Sequence, residues 1–245
     1  MALRTANPAL SSKTFQQYGS FAAGREAVMT VQGTVNKTGL LVVFAMASAA
    51  YAWNTPGSWS LWMPLGVIGG LVMALVTVFK KEWAGFTAPA YAILEGLFLG
   101  AVSALFEQQY AGIVINAVSL TFGTLFMLLI LYKTGIIKVT RNFRLGVAAA
   151  TGAIALVYLL SFVMSFFGAR MPFIHSNGLI GIGISLVIVA VAALNLVLDF
   201  DFIERGADQG APKFMEWYAA FGLMVTLVWL YLEILRLLSK LQSRR

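Results

Sequence analysis

Apolar residues along this chain come in long unbroken blocks and not in the amphipathic stripes of a soluble helical protein. After a polar opening over residues 1–37, the runs are Thr38–Trp53, Trp62–Phe79, Phe86–Phe106, Ala111–Tyr132, Leu145–Phe167, Asn177–Leu198 and Trp217–Leu238. Each approaches the roughly 20 residues that an α-helix needs to cross the hydrocarbon of a bilayer. The first is the shortest, and Lys37 at its edge is expected to snorkel toward water. Short linkers make neighbouring helices antiparallel hairpins of one bundle. The pattern predicts an all-α, polytopic integral membrane protein. It has a polar tail over 1–37, a seven-helix membrane domain over 38–238 and a basic tail over 239–245.

Composition agrees with the pattern. The chain is 60% hydrophobic and only 11% charged, with a mean hydropathy of +0.83, too little charge to coat a soluble domain of 245 residues. The absence of cysteine excludes disulfides, thiolate catalysis and zinc–thiolate sites. The single histidine, His175, excludes a multi-histidine metal centre. No apolar core follows a charged start within the first thirty residues, so no cleavable signal peptide is expected there. A short interfacial helix is expected around residues 25–34 instead.

The net charge of +7 reflects basic loops that set orientation and meet anionic lipid, not nucleic acid. With the helices alternating, twelve Lys and Arg fall on the side of the N-terminus and five on the other. The excess predicts a cytoplasmic N-terminus and a C-terminus outside. Arg236, Lys240, Arg244 and Arg245 pull the other way, and a seventh run that fails to cross would reconcile the two. Trp53, Trp59, Trp62 and Trp83 at helix ends are expected to anchor the chain at the interface. Gly96 and Gly100, and Gly66, Gly69 and Gly70, predict close helix packing.

Ten acidic residues remain to be explained. In the sixth run Gly181, Ser185, Ile188, Ala192, Asn195 and Asp199 share one face by steps of three and four, and that face should look into the bundle. Asp201 lies on another side, within reach of Arg205, and reads as a solvated helix end, as do Glu204 and Asp208. In the seventh run Glu216 and Glu233 share a face with Thr226, and Arg236 is placed to pair with Glu233. Glu95 sits in the middle of the third run, so its carboxylate must face the bundle. Two carboxyls brought together at low dielectric cannot both ionise cheaply, so such a pair acts as a proton-dependent latch. Carboxylates along a path are also ligands for a hard cation such as calcium.

At Asp199-Phe-Asp-Phe-Ile-Glu, Glu216-Trp-Tyr and Trp229-Leu-Tyr-Leu-Glu-Ile-Leu-Arg-Leu-Leu the chain resembles the Bax inhibitor-1 family, and more narrowly its bacterial YccA-like branch. Met29-Thr-Val-Gln-Gly-Thr-Val-Asn-Lys-Thr-Gly, the Lys80-Lys81 linker and Glu95-Gly96 fit the same pattern. The resemblance implies a last helix surrounded by the other six. It also implies a calcium leak gated by pH through two aspartates, with a basic residue at the end of helix two holding the closed state. Asp199 matches the first aspartate, and Lys80 and Lys81 lie near the basic position. The second aspartate falls at Thr226, and no Asp occurs in the seventh run, which leaves Glu233, Glu216 or Glu95 as partners for Asp199. Other bacterial members of the family bind a membrane-bound protease through the N-terminal tail, so the expected partners are the lipid bilayer and such membrane proteins.

Enzyme readings find little support. An intramembrane aspartyl protease needs Gly-x-Gly-Asp, of which Gly206-Ala-Asp208-Gln-Gly210 is only an echo. A membrane serine protease needs a histidine in the bundle, and His175 falls in a linker beside Pro172. A retinal protein needs a lysine inside the seventh helix, which has none before Lys240. The expectation is a non-enzymatic protein without cofactor: a cation leak, or a regulator that binds other membrane proteins.

Overall fold

The computed structural model describes residues 28–168 and 178–244. Among them are seven helices of membrane-spanning length and composition. They are α1 (Val31–Trp53), α2 (Trp59–Phe79), α3 (Ala84–Gln109), α4 (Ile113–Lys133), α5 (Arg141–Phe166), α6 (Leu179–Asp208) and α7 (Met215–Gln242). His175, Pro172 and the chain before Val28, with the tail expected to carry a protease contact, lie outside the described residues.

Several helix boundaries differ from the hydropathy reading, and three of the differences bear on the polar residues. The first helix begins at Val31, seven residues before Thr38, because Thr30 caps it by accepting from the Gly33 N–H at 2.9 Å. Residues 31–37, read as tail, are helix, and so are residues 31–34 of the expected interfacial helix. The sixth helix runs ten residues beyond Leu198, to Asp208. The seventh reaches Gln242, which puts the first residues of the supposed basic tail inside a helix. At 28 residues α7 is about 42 Å long, ample for the ~30 Å hydrocarbon core. Length is therefore no obstacle to a seventh crossing.

The chain divides into two compact units, which share α6 and α7. The first holds α1, α2 and α3, the end of α6 from Asp199 and the start of α7 to Val225. In it α1 and α2 both pack on α3. The contact is backbone-close where glycine allows it. A Cβ on Gly96 would strike Ser48 and the Ala45 carbonyl, and one on Gly100 would strike the Ala49 carbonyl. On the other side of α3, a Cβ on Gly66 would lie 2.7 Å from the Leu94 carbonyl oxygen. These are the small-residue approaches expected where lipid supplies no hydrophobic drive between helices. A hydroxyl pair, Thr77 to Thr87 at 2.7 Å, closes the α2–α3 hairpin.

The second unit holds α4, α5, α6 up to Leu198 and α7 from Thr226. Burial separates the helices sharply. Only 6% of the most apolar window of α5 is buried, whereas the figure for α7 is 67%. From Met215 to Lys240 no residue of α7 is exposed. Large exposed side chains such as Phe79, Phe86, Leu156 and Phe166 belong to the outer helices, where the bilayer takes the place of a core.

Candidate functional site

The polar face of α6 is buried as its spacing predicts. Gly181, Ser185, Ile188, Ala192, Asn195 and Asp199 are all buried, and the two at its end, Asn195 and Asp199, are 4% and 1% exposed. Asn195 is tied down from its amide: Nδ2 donates to Thr151 Oγ1 on α5 at 2.8 Å and to the Val191 carbonyl at 2.8 Å. At the other end of the face Ser185 meets Lys240, whose Nζ donates to Ser185 Oγ at 2.9 Å and to the Gly181 carbonyl at 3.1 Å. Lys240, read from sequence as part of a basic tail, is therefore a buried brace between α7 and α6. It is buried because α7 continues past Leu238 and carries it alongside the first turns of α6.

Glu233 is 2% exposed and sits in a three-part network. Tyr158 of α5 donates its hydroxyl to Glu233 Oε1 at 2.7 Å, and Arg236 donates to Glu233 Oε1 at 3.1 Å and to the Tyr158 oxygen at 2.7 Å. The Arg236 guanidinium also lies 5.4 Å from the Tyr158 ring centroid. The pairing with Arg236 follows the sequence spacing. Tyr158 was not foreseen, and only its place as a phenol inside an apolar run marks it.

Glu216 is solved differently. Its carboxylate, fully buried, accepts from the Thr30 N–H at 2.9 Å, the Thr30 hydroxyl at 3.0 Å and Lys213 Nζ at 2.7 Å, and it forms an ion pair with Lys37. Lys37 Nζ also lies 5.4 Å from the Trp217 ring centroid. Thr30 serves two partners at once, accepting from Gly33 and donating to Glu216. A Cβ on Gly33 would collide with the carboxylate, so a larger residue there would have to push Glu216 off its partners. The segment just before is fastened as well, since the Met29 N–H donates to the Ala211 carbonyl at 2.7 Å. The early start of α1 overturns the snorkelling expected of Lys37. With the helix beginning at Val31, Lys37 lies within its second turn and reaches Glu216 instead of water.

Four positions remain. Asp201 pairs with Arg205 as its spacing suggests, but it is 7% exposed and not a solvated end. The reason is that α6 is buried round its whole circumference from Asn195 to Ile203; Glu204 and Asp208 beyond are exposed, as expected. Of the two lysines near the family's basic position, Lys80 is exposed, while Lys81 is half-buried with Nζ 5.6 Å from the Tyr218 ring centroid. Glu95 is half-buried and does face a neighbouring helix: a Cβ on Gly70 would lie 2.8 Å from its Oε2. Thr226, where the resemblance puts a second aspartate, is 4% exposed. Among the described residues no three His, Cys, Asp or Glu side chains come together as a metal site.

Seven membrane-length helices, with carboxylates, an asparagine and a lysine buried along α6 and α7, define a polytopic helical membrane protein whose polar groups lie inside the fold. The sequence matches the family model described as Bax inhibitor 1 like over residues 7–243. The chain belongs to that family. No curated protein matches it.

Proposed function

We propose that the protein is a cation leak of a bacterial inner membrane, passing calcium, with protonation of Asp199 as its control. The observation behind this reading is a carboxylate 1% exposed in a membrane-length helix, at the end of a face of small and polar residues. Ionisable groups are expensive at such depth, and where they persist they mark ion and proton pathways. Oxygen donors of this kind suit a hard divalent cation. The position that the resemblance gives to a second aspartate holds Thr226, so we read the sensor as one carboxylate and not the family's pair. Twelve of the 17 Lys and Arg side with the N-terminus under alternating crossings, which supports a cytoplasmic N-terminus. On this reading the protein carries no catalysis of its own.

The test is calcium flux into proteoliposomes holding an indicator dye. The intact protein is expected to leak at a rate that changes with pH. Asp199→Asn, which keeps the shape but cannot gain or lose charge, is expected to leak at a rate independent of pH. Flux no greater than in empty vesicles at every pH would sink the leak. The regulator reading would then stand, and deleting residues 1–30 should abolish capture of a membrane-bound protease in a pull-down.

A further inference from the structure

We propose that Glu95 is a second proton-binding site, separate from Asp199, and that the proton it carries at neutral pH keeps α2 seated on α3. All of its parts belong to the first unit.

Glu95 is deep in the membrane span. It is the twelfth of the 26 residues of α3, about 17 Å from the start of the helix and about 21 Å from its end. Its side chain is received by α2, which packs on α3. A Cβ on Gly70 would lie 2.8 Å from Glu95 Oε2 and 3.9 Å from the Tyr91 ring, so the missing side chain of Gly70 is what makes the notch. Gly70 is itself near the middle of α2. Tyr91, one turn before Glu95, is 5% exposed, and its ring meets Phe221 of α7 edge-on with centroids 5.0 Å apart. The notch therefore has one wall from α2, one from α3 and a backing from α7.

The cations of the unit are engaged elsewhere. Lys37 and Lys213 hold Glu216, and Arg205 holds Asp201. Lys80 and Lys81 precede the first turn of α3, and Lys81 lies over the Tyr218 ring. No charged residue occurs in α2, and α1 carries only Lys37. On α3 the other charged residue is Glu107, about three turns on, and the titratable neighbour is Tyr91, a phenol uncharged at neutral pH. From α7 the side chain backing the notch is Phe221, and the titratable groups of that helix in this unit are Glu216 and Tyr218. The remaining acids, Glu82, Asp199, Glu204 and Asp208, only oppose a further negative charge. Among the described residues neither a hydrogen bond nor an ion pair reaches the Glu95 carboxyl. Glu216, Glu233 and Asp201 show how this fold treats an acid that it keeps charged, since each has a cation in contact. A charge left alone at such depth is far costlier than a bound proton. Losing the proton would draw water or a counter-ion between α2 and α3, so stability is expected to fall as pH rises.

The experiment compares the full chain in nanodiscs with Glu95→Gln, which keeps the shape of the neutral acid and cannot ionise. The infrared difference spectrum at neutral pH is expected to show the carbonyl stretch of a protonated carboxylic acid that the variant lacks. Asp199→Asn is expected to keep that band. The thermal midpoint of the intact protein is expected to fall by several degrees from neutral to alkaline pH, and that of Glu95→Gln by less than half as much. A second measurement needs no variant. Dicyclohexylcarbodiimide takes the acid's proton on one nitrogen, bonds the carboxyl oxygen at its central carbon and rearranges to an N-acylurea that retains the whole reagent. Peptide mass spectrometry is expected to find it on Glu95 at neutral pH and progressively less toward alkali. A difference spectrum with carboxylate bands alone overturns the proposal, as does a band also lost in Asp199→Asn, equal loss of midpoint in both proteins, or labelling of Glu95 that does not fall with pH. None of these readouts needs flux, so failure of the leak and failure of this site are told apart.

Discussion

Glu216 and Glu233 stand 17 residues apart on one helix, about 25 Å along its axis, and both are buried, yet the fold satisfies them by opposite means. Glu233 finds its cation one turn away on the same helix, and a single tyrosine completes the network. Glu216 has one near partner in Lys213, but its other contacts come from residues 179 and 186 positions earlier in the chain. The first arrangement orients a side chain. The second fastens the start of α1 to the start of α7, so breaking it loosens a junction and not just a contact. A buried carboxylate is therefore weak evidence for any one role until its partners are known.

The difference can be measured as loss of stability in detergent. Glu216→Gln leaves Lys37 facing a neutral amide and should cost about 3 kcal/mol, the lower end for breaking a buried ion pair. Chemical unfolding of the purified protein would show it, and a loss no larger than that of Glu233→Gln would end the contrast. Tyr158→Phe removes one hydroxyl from the Glu233 network and should cost about 1 kcal/mol, within the range for single side-chain hydrogen bonds in membrane bundles. A loss approaching that of Glu216→Gln would mean that Tyr158 also fastens two elements. Lys213→Ala should be smallest, below about 1 kcal/mol, because the Lys213 side chain is 49% exposed and Lys37 remains. A loss as large as that of Lys37→Ala would show that the clasp depends on both lysines equally.

What could be read from the sequence follows the range of the interaction. The buried face of α6 and the glycine contacts of α3 rest on spacing within one helix, and both emerge at the residues expected. Glu233 with Arg236, and Asp201 with Arg205, are pairs three and four residues apart and were equally accessible. The clasp on Glu216 was not, because nothing local to Lys37 or Glu216 tells one of the other. The early start of α1 was missed because Thr-Val-Gln-Gly-Thr-Val-Asn-Lys over residues 30–37 is too polar for a hydropathy block. The signal was there in another form, as Thr30 at the N-cap. Asp201 and Lys240 went astray because charge was equated with solvent, while the helices carrying them continue and are buried well past their apolar stretches.

The burial of α7 has a consequence for how the molecule is made. Of the seven helices it leaves the ribosome last, at about 5–20 residues per second, so its 28 residues take on the order of seconds to appear. For that interval the residues that will cover Met215 to Lys240 have nothing to cover, and Lys37 waits without its acid. The earlier helices thus enter the bilayer before the segment that carries Glu216, and the buried ion pair closes only when α7 arrives.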